Sequence, residues 1–242
     1  MKECPNHRIA LELESTIDRL NESAWYIRQM ENCYHNADQF RWSLNSFLKS
    51  IKEVTQILLM ETQSSDKELR KLINIKRNNL SNDKLISYLS KQRDIIVHKK
   101  MLKPNSYGYI GIFRGKTPKL NVGFSIDPLL DSIDAIKQFI SVVAKSNDET
   151  NFLYMLKDEE DGSFEYTGIQ REWRLSSFPD KDILEICATA WNTIAEIVHD
   201  IAMSKGANIE KPIFELNNLE DTQIEIYAPK WVSEQLKLTK EY

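Results

Sequence analysis

Arg93-Asp94-Ile95-Ile96-Val97-His98, followed at once by Lys99 and Lys100, decides how the first half of the chain is read. It places a guanidinium, a carboxylate and an imidazole at the end of a predicted helix that begins near Asn82. If that helix runs through the motif, Ile95, Ile96 and Val97 point to three different sides of it. A helix that is apolar all round is buried on more than one side. The expectation is therefore an inner helix, or one facing a second subunit, with its polar residues held at a seam.

The sequence before this stretch supports a bundle. Leu13, Ile17, Leu20, Ala24 and Ile27 alternate steps of four and three, which predicts a long helix over 7–35. Phe40, Leu44, Phe47, Ile51, Val54 and Leu58 repeat the pattern over about 37–61. The link around Asn36 is short, so the two helices are expected to be antiparallel. Asp66 can cap a third helix running to about Asn78, and Ser81 or Asn82 a fourth that carries Leu85, Leu89 and the motif.

Beyond Pro104 the period changes. Tyr107, Tyr109 and Phe113 alternate with Ile110 and Ile112, Arg114-Gly115-Lys116 offers a turn, and Leu120, Val122, Phe124 and Ile126 alternate again. This predicts a β-hairpin over 105–126. Asp127-Pro128 resembles a helix start, with Leu129, Ile133, Ile136, Ile140 and Val143 as its stripe. From Asn147 to Ser177 the pattern is weak: Phe152 to Leu156 suits helix or strand, Asp158 to Gly162 a charged turn, and Ser163 to Tyr166 a strand paired with the first segment. Asp180 is placed to cap a sixth helix with the stripe Ile183, Ile186, Ala190, Ile194, Ile197 and Ile201, ended by Gly206. One strand is expected in the tail, from Thr222 to Tyr227.

Composition sets the bounds. The chain has 242 residues, 41% of them hydrophobic and 28% charged, ordinary values for a globular protein with a real core. Its three cysteines (Cys4, Cys33 and Cys187) cannot all pair, and no secretory signal or membrane-length apolar run is present. These features point to a reducing cytoplasm and away from a membrane. The net charge of −4 is unevenly spread. Lys91 to Lys119 holds eight basic residues against Asp94 alone, a net +7 that leaves −11 for the rest. An anion is expected near the motif.

Several sites can be set aside. Cys4 and His7 resemble half a zinc site with Cys33 and His35, but the intervening helix separates the pairs by about 40 Å at 1.5 Å per residue. Glu196 and His199 form one Glu-x-x-His pair, and a carboxylate-bridged di-iron centre needs two. Asp158, Glu160 and Gly162 open like a calcium loop, yet Ile169 stands where the closing Glu belongs. No glycine-rich phosphate loop or Gly-x-Ser-x-Gly elbow is present. No metal or cofactor is implied.

Arg93 and His98 are the residue types that suit acid–base work on a phosphodiester, since His exchanges protons near neutral pH and Arg grips phosphate oxygens in a fork. Arg, a polar residue, three variable residues and His also form the signature of the HEPN superfamily, and the chain resembles that family over about residues 7–145 in helix order. The resemblance supports the antiparallel helical bundle of an expected mainly α fold, whose inserted β-hairpin at 105–126 and less regular α+β part at 147–242 lie outside it, all one domain. It implies a metal-independent endoribonuclease, a toxin or defence effector, that cleaves RNA by attack of the 2'-hydroxyl. Arg93, His98 and Asp94 are the implied catalytic residues, with Asp94 orienting the imidazole. Five residues of helix turn Arg93 and His98 about 140° apart, and in the nucleases of this family the motif helices of two protomers face each other, so a homodimer is expected. Lys99, Lys100, Lys103, Tyr107, Tyr109, Arg114 and Lys116 are the candidate RNA-binding residues, with Phe113 as a further stacking surface. The RNA is single-stranded or structured, and the family allows an antitoxin or nucleotidyltransferase partner. The alternative is a non-catalytic helical module for dimerisation or nucleotide binding.

Overall fold

A computed structural model of the chain describes residues 5–99, 102, 104–145 and 165–240. They form nine helices and five strands in the order α1 (Pro5–Glu12), α2 (Glu14–Asn32), α3 (Ala37–Glu61), α4 (Lys67–Asn82), α5 (Lys84–His98), β1 (Asn105–Arg114), β2 (Thr117–Ile126), α6 (Ser132–Lys145), β3 (Glu165–Leu175), β4 (Phe178–Asp182), α7 (Ile183–Ser204), α8 (Leu219–Gln223), β5 (Ile224–Tyr227) and α9 (Pro229–Lys240). The fold is mixed α+β, which corrects the expectation of a mainly α bundle. The chain divides into two compact units. One comprises residues 1–31, 41–102 and 183–216, the other residues 32–40, 103–182 and 217–242.

The first unit is helical. Its inner helix is α7, on which Leu184, Ile186, Cys187, Ala190, Trp191, Ile194, Val198 and Ile201 are all buried, so that more than one face is covered. Helices α4 and α5 pack on α7 and on each other. The expectation that the motif helix is the inner one is therefore overturned within this chain. Leu89 is the buried residue of α5, while Ile95 and Ile96 are half-buried and Val97 is 43% exposed. The reason lies in length and composition: α7 has 22 residues rich in Ile and Ala, whereas α5 ends in a polar cluster after 15.

Local chemistry sets the helix ends. Asp66 accepts a hydrogen bond from the Leu69 backbone N–H and opens α4 as expected. Helix α5 is opened by Asp83, not Ser81 or Asn82, because its carboxylate reaches the Ile86 N–H at 2.9 Å. The predicted helix over 7–35 divides at Leu13 and stops at Asn32. Asp127-Pro128 does not start a helix. Asp127 Oδ1 instead accepts from the Leu129 N–H at 2.9 Å to form a turn, and α6 begins at Ser132.

The second unit holds the sheet, ordered β2-β1-β3-β4, with β5 also paired to β3. All the pairings are antiparallel. The hairpin lies where predicted, turning at Gly115 with φ +57°, but it is not an insertion. Ile110 stands opposite Ile169 of β3, so the hairpin is one side of a larger sheet. That face is covered by α6 and α9 through Ile136, Ile140 and Val232. At Gly111 the strands approach so closely that a Cβ would run into the Leu120 carbonyl. Asp180 belongs to β4 and does not cap α7. The tail strand is present but shorter than predicted, beginning at Ile224. The readings of Phe152–Leu156 and Asp158–Gly162 lie outside the described residues, as do Ser163 and Phe164 of the strand predicted from Ser163 to Tyr166, whose Glu165 and Tyr166 open β3 and pair with β1.

A buried polar network ties residues 34–40 to β3. Tyr34 Oη donates to Asp182 Oδ2, and the Trp173 N–H reaches the same carboxylate at 3.2 Å. Trp173 Nε1 donates to the Tyr34 carbonyl at 2.9 Å while its ring stacks on Phe40. Arg171, fully buried, donates from Nε to Ser106 Oγ at 2.9 Å and from Nη1 to the Leu130 carbonyl at 2.7 Å, with its guanidinium 3.9 Å from the Trp173 ring centre.

Candidate functional site

The site is built on the C-terminal half of α5 and the face of α3 beside it. Arg93 is largely buried, with a side-chain exposure of 19%. Its Nη1 donates to Asp94 Oδ1 at 3.3 Å, and its Nε–H is buried and makes no hydrogen bond among the described residues. Asp94 Oδ1 also accepts from Lys52 Nζ of α3 at 2.7 Å. The Lys52 hydrogen bond holds the Asp94 carboxyl below the ordinary carboxylate range, and Arg93 adds to the effect. His98 is the last residue of α5 and is exposed, as is Lys99 after it.

This geometry revises one role. Asp94 was expected to orient His98, but its oxygen is shared by Arg93 and Lys52, so within this chain it orients the guanidinium. Lys52 is a site residue that the sequence did not single out. It lies beside Ile51 in the α3 stripe and reads as an ordinary flanking lysine until the helices are placed side by side.

The candidate RNA-binding residues do not form one set. Lys100 and Lys103 lie outside the described residues. Tyr107, Tyr109, Arg114 and Lys116 belong to the sheet unit, whereas Arg93, His98 and Lys99 belong to the helical one. Tyr107 is exposed, with the Arg174 guanidinium 5.8 Å from its ring centre, and Tyr109 is half-buried. Phe113 is fully buried and cannot stack on a base. Arg114 Nη2 is engaged by Glu165 at 2.6 Å, and Lys116 Nζ by the Asp221 carbonyl at 2.7 Å. Much of the hairpin's positive charge is thus already paired.

Next to the motif, the helical unit contains a partly enclosed cleft of about 410 Å³. Helical spacing explains its walls. Residues 48, 51–52, 55–56 and 59 form one stripe of α3, residues 77 and 80–81 one of α4, 86–87 and 89–91 one of α5, and Ala190 and Ile194 one of α7. Lys52 is shared between the cleft and Asp94. No cluster of three His, Cys, Asp or Glu side chains suited to a metal ion occurs among the described residues. Glu196 instead accepts from Lys211 Nζ at 2.8 Å. No helix among the described residues is long and apolar enough to cross a membrane.

The profile of one family, described as bacteriophage lambda protein ea47, matches residues 3–226. The chain belongs to that family. The match takes in the motif, the cleft and all of the sheet except Tyr227, and most of it falls on residues whose contacts are described above. No curated protein and no solved structure matches the chain. The ea47 description carries a phage protein's name and no chemistry, so the functional reading rests on the residues.

Proposed function

We propose that the end of α5 is half of a metal-independent ribonuclease site of the HEPN type, completed by a second copy of the chain. The observation that carries this reading is the buried Nε–H of Arg93, a donor without a partner among the described residues, five residues before the exposed His98. Buried donors are costly unless they are used. A phosphate oxygen is the acceptor that a guanidinium fork fits best.

The chemistry needs few groups. The RNA 2'-oxygen forms a bond to phosphorus as its proton passes to one His98, and the bond from phosphorus to the 5'-oxygen breaks as a second His98 returns a proton to the leaving oxygen. Arg93 stabilises the charge that builds on the phosphorane oxygens. Asp94 and Lys52 position Arg93. The separation of about 140° between Arg93 and His98 on one helix is the reason a second copy is required, and the exposed Val97 between them offers it an apolar contact.

Cleavage of a labelled RNA oligonucleotide tests the reading. Products should end in a 2',3'-cyclic phosphate and a 5'-hydroxyl, activity should survive EDTA, and DNA of the same sequence should stay intact because it lacks the nucleophile. His98→Ala and Arg93→Ala should each reduce the rate by about 10² or more while leaving the far-ultraviolet spectrum unchanged. If purified His98→Ala cuts RNA as fast as the parent, the site is not here. The helical unit is then a binding module, a reading that the cleft beside the motif favours.

A further inference from the structure

The cleft has a composition of its own. Its floor is buried and aliphatic: Leu48 and Ile51 from α3, Leu80 from α4, Leu89 from α5 and Ile194 from α7. Its rim carries three cations, Lys52, Arg77 and Lys91, and no carboxylate is among the residues that line it. Lys52 is bound to Asp94. Neither Arg77 nor Lys91 meets a carboxylate among the described residues, although the neighbouring Lys76 is paired with Asp200. The small side chains Ser87, Ser90 and Ala190 leave the space open at positions where larger residues would close it.

From this juxtaposition we propose that the cleft binds a medium-chain aliphatic carboxylate, its chain on the aliphatic floor and its head between Lys52, Arg77 and Lys91. The volume of about 410 Å³ lies in the range of small-molecule sites, roughly 300–1,000 Å³. At about 30 Å³ per water-sized group, it holds on the order of a dozen heavy atoms, the size of decanoate. A nucleotide of similar charge fits less well, because no aromatic side chain lines the cleft to stack on its base. A neutral lipid leaves the cationic rim unanswered. The head group draws on the same Lys52 ammonium that holds Asp94, so occupancy of the cleft is felt at the motif. The inference goes beyond the ribonuclease reading and does not depend on it, since binding is measured without RNA.

The test is calorimetric titration of the full chain with sodium decanoate below its micellar concentration. Hexanoate, decanamide and adenosine monophosphate serve as separate arms. The expected result is saturable binding of one decanoate per chain, with hexanoate and decanamide each weaker by about tenfold or more, one lacking chain length and the other charge. Arg77 and Lys91 are both exposed, so the double variant Arg77→Gln/Lys91→Gln should fold normally and bind decanoate about fivefold or more weakly. Ser87→Leu should abolish binding by filling the cleft, with its unfolding temperature recorded alongside. Equal binding of decanamide, tighter binding of adenosine monophosphate, non-saturating uptake of several decanoates per chain, or unchanged affinity in the double variant would each overturn the proposal.

Discussion

His35 is held neutral by the groups around it, and its hydrogen bonds fix its tautomer. Nε2 lies 3.1 Å from the Thr222 carbonyl, which can only accept, so Nε2 carries the proton. Nδ1 then accepts from Ser132 Oγ at 2.8 Å, and that hydroxyl lies 3.4 Å from Nη1 of the buried Arg171. Burial, with Arg171 and Lys116 adding positive charge nearby, lowers the His35 pKa from 6.5 to about 4, although Glu225 stands 3.7 Å from Nδ1. Between those two values the unfolded chain takes up a proton that the folded chain refuses. Stability is therefore full above pH 6.5 and falls as the pH drops toward 4, by at most about 3 kcal/mol. Urea midpoints measured from pH 7 to pH 4.5 should show this loss, and His35→Asn should flatten the slope. An unchanged slope would mean that other groups carry the acid sensitivity. The same neighbourhood shows why β3 was hard to read. Its inward positions are Thr167, Ile169, Arg171, Trp173 and Leu175, and a buried arginine in the middle breaks the apolar alternation that marks a strand.

Elements with one-sided burial were legible before the fold was known. The stripe of α3 and the alternation of β1 and β2 match the observed Ala37–Glu61, Asn105–Arg114 and Thr117–Ile126: α3 buries a regular stripe and β1 buries Ile110 and Phe113, whereas β2 is exposed along most of its length, with only Ile126 buried, and its span follows from the turn at Gly115 and its pairing with β1. Their relation was not legible. The partners that turn a hairpin into a sheet lie some 50 residues or more along the chain, as Tyr109 opposite Gln170 shows. In the candidate site, Arg93 and His98 were visible as a motif, whereas Lys52, Arg77 and Lys91 come together only when α3, α4 and α5 are packed. Asp83 links the element scale to that site. Its backbone N–H closes α4 through the Asn79 and Leu80 carbonyls, and its carboxylate opens α5. Asp83→Ala keeps the first role and removes the second, so it should cost about 1 kcal/mol, while Asp83→Asn should cost a few tenths. Equal losses in both variants on chemical unfolding would show that the side chain acts through charge and not as a cap.

At the scale of the whole molecule, charge and apolar exposure bear on self-association. The +7 segment from Lys91 to Lys119 is divided between the two compact units, and on the sheet side Arg114 and Lys116 are already engaged by Glu165 and Asp221. On the helical side, Lys99 and the half-satisfied Arg93 stand beside Val97, with Ile95 and Ile96 partly covered. Such a mixture suits a two-fold contact that closes around an anion, since the symmetry sets the same residues near their own copies. Without the anion, those copies bring like charges together. The expected outcome is a weak dimer, strengthened by uncleavable RNA with 2'-deoxy substitution and weakened by salt. Sedimentation equilibrium should show mass above the 28.3 kDa of one chain at micromolar concentration, rising toward twice that value with the analogue. Val97→Glu should shift the protein to monomer and abolish cleavage together, with the unfolding temperature little changed because the position is exposed. A monomeric Val97→Glu protein that still cut RNA at the parent rate would confine the chemistry to one chain, and the two-fold site would have to be abandoned.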